Sequence, residues 1–170
     1  MRAHRTVTRS VLPVLFSVCL SFAQNIPPAP ASLTVSGDIP SPLTLNLADI
    51  AAMPHQVATV ADENGKKIAY EGVPLREILL KAGAPLGGQL RGKNLTTYVL
   101  AKAHDGYQVI FTLAEFDTQF ANEPIWLVDK RDGGPLQEDQ GPLRLACPND
   151  KTGARSVRML EALEIVRVRK

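Results

Sequence analysis

Apolar and polar positions alternate in many short runs separated by turn residues, and only a few runs follow a helical period. Leu33 to Ser36 and Leu43 to Leu45 are predicted as short strands. Leu47, Ile50 and Ala51 lie at helical spacing, and the helix they predict stops before Pro54. His55 to Ala61 and Lys67 to Tyr70 are strand-like and flank Asp62-Glu63-Asn64-Gly65, where Asn-Gly predicts a hairpin turn. Pro74 opens a helix at a position where a missing N–H costs nothing. Leu75, Ile78, Leu79 and Ala82 form its apolar stripe, and Gly83 closes it.

A glycine-rich connection, Pro85 to Asn94, leads to the clearest strand, Thr96 to Ala103. His104-Asp105-Gly106 turns the chain, and Tyr107 to Phe111 returns as the partner strand. Leu113 to Phe116 is a helical turn, Ile125 to Val128 a buried strand, and Asp132 to Pro135 another turn. Leu143 to Cys147 is a strand ended by Pro148, which has no N–H for a ladder. Val157 to Val168 alternates as a long final strand or strand pair. Short strands with two or three helices between them predict an α+β fold with mixed sheets, not the regular alternation of a doubly wound sheet.

The N-terminus departs from this pattern. Arg2, Arg5 and Arg9 precede an apolar run from Val11 to Leu20, and Ser21-Phe22-Ala23 follows with small residues. This predicts a secretory signal peptide over residues 1–23, cut after Ala23, with the periplasm as destination. The run is too short for a stable membrane span. Residues 24–32 are a Pro/Ala-rich linker, and residues 33–170 form one domain. Cleavage changes the charge: the chain has 19 Lys+Arg and 17 Asp+Glu, and loss of the three leader arginines leaves 16 cations against 17 carboxylates. A mature chain with no net positive charge argues against nucleic acid as a partner. Cys147 is then the only cysteine, so no internal disulfide can form.

The stretch from Gly141 to Leu160 concentrates the candidate chemistry. Asn149, Asp150 and Gly153 are turn-forming residues. Arg144, Lys151, Arg155 and Arg158 surround the loop with cations, an arrangement suited to a phosphate or another small anion and equally to a solvated surface. His104, Asp105 and Tyr107 make a second polar cluster, in which His104 is a further anion contact and Asp105-Gly106 a hairpin turn. Cys147 reads first as a small buried hydrophobe. Trp126, the sole tryptophan, reads as core.

Three motifs resemble one family. Gly141-Pro142-x-Arg144-Leu145-x-x-Pro148 with Gly153-Ala154-Arg155-x-Val157-Arg158-x-Leu160 is similar to the closing segment of the molybdopterin-binding domain of sulfite oxidase-like proteins. Tyr70-Glu71-Gly72-Val73-Pro74-Leu75 with Leu79 to Gly83 resembles the family's W/Y-x-G-V-P-L block and the helix after it. Asp105-Gly106-Tyr107 with Phe111-Thr112-Leu113 is the third. Together they span Leu33 to Val168. The resemblance implies a mixed-sheet α+β fold with a β-grasp-like core, and molybdopterin as cofactor. It also implies that basic residues of the closing segment lie by the pterin, where arginine can pair with its phosphate.

The resemblance further implies that a cysteine thiolate in the strand before the W/Y-x-G-V-P-L block ligates molybdenum. The corresponding strand here, His55 to Asp62, holds none. His55 is a weak candidate ligand, since a soft metal calls for a soft donor. Cys147 lies elsewhere, after Leu143-Arg144-Leu145, and would serve as a ligand only with a different cofactor pose. The leader also has no Arg-Arg pair of the kind that exports proteins already loaded with cofactor. The resulting expectation is an exported module that binds a pterin, a small anion or a periplasmic partner protein, without molybdenum redox catalysis. The alternative is a molybdopterin-dependent oxidoreductase with an atypical ligand set.

Overall fold

Strand-forming runs dominate the computed structural model, which describes residues 31–61, 65–122 and 124–169. The expected leader, most of the linker, and residues 62–64 of the hairpin turn lie outside the described residues. In chain order the main elements are β1 (Ser32–Gly37), β2 (Leu43–Asn46), α1 (Leu47–Ala51), β3 (Gln56–Ala61), β4 (Lys67–Pro74) and α2 (Leu75–Lys81). Then follow β5 (Thr97–Ala103), β6 (Gln108–Thr112), β7 (Trp126–Arg131), β8 (Gly134–Pro135), β9 (Arg144–Ala146) and β10 (Leu160–Arg167). Among the described residues no helix is long and apolar enough to cross a membrane.

The strands form two sheets. One runs β2-β1-β10-β5-β6, with β1 parallel to β10 and the other pairs antiparallel. The second runs β3-β4-β7-β8, with β9 added on β7, all antiparallel. This is the α+β fold with mixed sheets that the pattern predicts.

Local chemistry explains the element ends. Asn46 and Asp49 form a reciprocal capping box, each side chain accepting from the other's backbone N–H at 2.9 Å, which starts α1. Pro74, expected as the first helical residue, ends β4 and is the N-cap of α2, so the helix begins one position later at Leu75. Gly83, at φ 78°, lets its own N–H reach the Leu80 carbonyl while that of Ala84 reaches Leu79, a Schellman closure. The final strand is single and shorter than the alternation suggests. Met159, at φ 46°, breaks the extended run, so β10 begins at Leu160 and Val157 instead bonds across to Leu145.

Period two sorts the side chains of the second sheet between two clusters. Val73, Leu127 and Leu145 point into the principal core with Leu33, Val35, Ile78, Leu79, Val99, Phe111 and Leu163. Ala58, Ile68, Tyr70, Trp126, Val128 and Ala146 form a smaller cluster on the other face. Trp126 is core, as its composition suggests. That outer face is where the candidate site lies.

Candidate functional site

Arg144 and Ala146 flank Leu145 on β9, so burying Leu145 in the principal core turns Arg144 to the opposite face. There it lines a cleft of about 640 Å³. The strand floor comes from Val60 and Ala61 of β3, Ile68 and Tyr70 of β4, and Arg131 of β7. The wall is the segment after β9, from Cys147 through Asp150, Lys151, Thr152, Gly153, Ala154 and Ser156 to Arg158.

Four cations therefore converge on one cleft: Arg131, Arg144, Lys151 and Arg158. Their partners are unequal. Arg131 and Arg158 have loose ion pairs with Asp132 at 3.6 Å and Asp139 at 3.9 Å, both carboxylates well exposed. Arg144 has no carboxylate partner among the described residues. Its Nη1 donates to Gln140 Oε1 at 3.0 Å, its guanidinium lies 5.2 Å from the Tyr70 ring centre, and its Nε is a buried donor without an acceptor. Burial lowers its pKa, and the like charges of Arg158 and Arg131 lower it further, against the opposing influence of Tyr70. A half-buried cation facing two other cations with an unused donor is an arrangement that an anion completes.

Arg155 faces elsewhere. Its Nε and Nη2 donate to Asp150 at 2.8 and 2.7 Å, its Nη1 donates to Glu115 at 2.6 Å, and it lies 5.0 Å from the Phe111 ring centre. Those carboxylates raise its pKa above its ordinary value, and they occupy its fork. The sequence places Arg155 beside the anion, whereas the structure gives it two protein carboxylates and leaves it off the cleft lining. His104 is also absent from that lining: its Nδ1 pairs with Glu161 at 3.1 Å on the first sheet. Tyr107 ties the β5–β6 hairpin to the loop, its hydroxyl donating to the Ala154 carbonyl at 2.7 Å.

Arg131 and Tyr70 escape a reading of the sequence as a site. Arg131 precedes a turn and Tyr70 sits in a strand 61 positions earlier, yet they are register partners between β4 and β7. The one available signal is parity along each strand, which becomes informative only once the register is known.

The donor set fits an anion and not a soft metal. Cys147 lines the cleft but is only 4 % exposed, and its thiol donates to the Arg155 carbonyl at 3.6 Å. Burial, with the Asp150 charge adding, pushes the thiol up to about 12, so it is protonated at neutral pH and is no ready ligand. β3 supplies no cysteine, and His55 is already engaged by the Met53 carbonyl at 2.8 Å and by Asp129 at 3.2 Å. Among the described residues no three His, Cys, Asp or Glu side chains gather to hold a metal.

Comparison with known proteins agrees with this architecture. The crystal structure of the sulfane dehydrogenase SoxCD from Paracoccus pantotrophus superposes with a TM-score of 0.62 at 19 % identity, over 79 % of this chain. The match covers 37 % of the chain compared, so this chain spans little more than a third of that chain's length. No curated protein matches the sequence. The sequence profile of the oxidoreductase molybdopterin binding domain matches residues 23–170, which include the whole described fold, and the chain belongs to that family.

Proposed function

We propose that this chain is an exported member of the family that binds a small anionic ligand of the phosphate-bearing pterin kind in the cleft, without molybdenum redox catalysis. The observation that carries this reading is Arg144, a half-buried cation with a spare donor and no carboxylate partner among the described residues, set with Arg131, Lys151 and Arg158 around about 640 Å³. A bound phosphate would supply the missing negative charge through arginine's planar fork. When bound, a molybdopterin brings redox chemistry through its metal. The residues here offer that metal no available thiolate.

A specific observation favours the second reading, an oxidoreductase with an atypical ligand. The chain's only cysteine outside the expected leader lines the same cleft as the cations. Metal binding there would have to displace the thiol proton and the Arg155 carbonyl contact.

Metal analysis by mass spectrometry and pterin fluorescence, both on protein recovered from a periplasmic fraction, separate these readings. Pterin without molybdenum supports the binding module. Near-stoichiometric molybdenum, lost in Cys147→Ala, establishes the enzyme instead. Neither one, with no affinity for phosphate esters, overturns the anion site and leaves a partner protein as the ligand to seek. Recovery of the full 170-residue chain in the cytoplasm overturns export.

A further inference from the structure

Asp150 is a carboxylate in the wall of a cationic cleft, where it opposes any anion. It is only 18 % exposed in its side chain, and both oxygens are taken by Arg155. The same guanidinium reaches Glu115, which belongs to the turn after β6 and not to the cleft. Glu115 is itself fixed, its other oxygen accepting from the Thr112 backbone N–H at 2.8 Å. Arg155 is thus held from behind by Glu115 and Phe111 while its fork covers Asp150.

Resting on the reading that the cleft takes an anion, we propose that Arg155 is a specificity-determining positioning residue that masks the Asp150 charge from the ligand. It touches no ligand. It acts by pairing the one acidic side chain of the cleft wall, so that Arg131, Arg144, Lys151 and Arg158 meet an incoming anion without opposition from the wall itself. A bidentate arginine suits this role because its planar fork engages both carboxylate oxygens at once. Loss of Arg155 would expose a negative charge inside the site. An unmasked Asp150 would then favour neutral or cationic ligands over the phosphate class.

The test compares wild type, Arg155→Gln, Asp150→Asn and the double variant. Titration with inorganic pyrophosphate at low salt is read by calorimetry. Amide relaxation at Lys151 and Ser156, induced by an anionic against a neutral nitroxide, reports the cleft potential without requiring a bound ligand. Arg155→Gln should weaken pyrophosphate by roughly three- to tenfold, the scale of one charge acting across a solvated cleft. The double variant should return within about twofold of wild type by the same reckoning. Asp150→Asn alone keeps the tie to Glu115 and should tighten binding. A double variant as weak as Arg155→Gln would overturn the mask, because a direct contact or a loop brace is not rescued by removing Asp150. Should the Arg155 variants fail to fold, unchanged or weakened binding in Asp150→Asn overturns it equally. Wild type that binds no pyrophosphate but shows the expected ordering of nitroxide effects would sink the anion-site reading and leave the mask standing.

Discussion

Arg155 and Asp150, only five positions apart, meet in two parallel hydrogen bonds, Nε to Oδ2 at 2.8 Å and Nη2 to Oδ1 at 2.7 Å. The pair closes the loop that forms one wall of the cleft, and Glu115 anchors it to the turn after β6. The guanidinium is 39 % exposed, so solvent screens much of the attraction. Arg155→Ala should therefore cost about 1 kcal/mol, near the upper end for partly exposed pairs. That corresponds to a melting temperature lower by roughly 3 °C in a domain of this size. Thermal melts at low salt and at molar salt check this, and the difference between variant and wild type should shrink in the salt.

Gly72 explains why the Tyr70 to Leu75 motif needs a glycine. It sits beside the register shift between Glu71 and Gly72, where β4 meets β7. A Cβ there would lie 2.0 Å from the Leu127 carbonyl oxygen and 2.6 Å from the Val128 Cα, both backbone atoms that cannot turn aside. Gly72→Ala should part these strands and cost more than about 3 kcal/mol, as core overpacking does at its worst. Chemical denaturation should show the loss, with Gly88→Ala, whose Cβ meets nothing within 4 Å, as a milder control for added bulk alone.

Cys147 should resist chemistry while the fold is intact. Its thiol is buried and pushed up to about 12, so a thiol reagent at pH 8 should label it only on unfolding. The pH dependence follows. A folded pKa above the unfolded one gives stability that is complete below the unfolded value and is lost as pH rises through the folded one. Stability should decline above about pH 8.5, and Cys147→Ala should flatten that alkaline limb. Denaturation midpoints between pH 7 and 11 decide it.

Much of the fold was legible because its cues are local. Alternation marks the strands, the spacing of Leu47, Ile50 and Ala51 marks α1, and Gly83 ends α2 through backbone chemistry that neighbouring residues determine. The site was only partly legible. Arg144, Lys151 and Arg158 reach the cleft, but their sequence neighbour Arg155 does not, because Asp150 takes its fork and Glu115, 40 positions away, takes its remaining Nη1. Charge clustered around a turn motif is visible in sequence. Which opposite charge reaches it first is a property of packing. The same limit hid Arg131, whose place in the cleft depends on the β4–β7 register.

Asp117 governs the acid side. It is 1 % exposed, and the desolvation that would raise its pKa is outweighed by backbone N–H donors of Gln119 and Gly87, with Arg76 adding, so its pKa is lowered overall. A lowered folded pKa gives stability that is present above the unfolded value and is lost as pH falls through the folded one. Asp117→Asn cannot accept both N–H groups with two oxygens and should cost about 2 kcal/mol at neutral pH, the scale of hydrogen bonds to a charged group. The gap between variant and wild type should close below about pH 4. Melts across pH 2 to 7 measure it.

Arg144 carries the sharpest separation of function from stability. In the folded chain it holds a charge out of water beside Arg131 and Arg158, with only the Gln140 carbonyl and the Tyr70 ring as compensation. Methionine would keep an apolar stem of similar length and remove that charge, at the expense of the guanidinium's place over the Tyr70 ring and one hydrogen bond to Gln140. These terms nearly cancel, so Arg144→Met should melt within about 3 °C of wild type. Anion affinity should fall by about tenfold or more, the scale of a charge-assisted hydrogen bond. Calorimetry with pyrophosphate and a parallel melt test both halves. A variant that loses stability but keeps affinity would make Arg144 a structural cation and remove the main support for the anion site. One that keeps stability and loses affinity is the behaviour of a residue retained for its ligand.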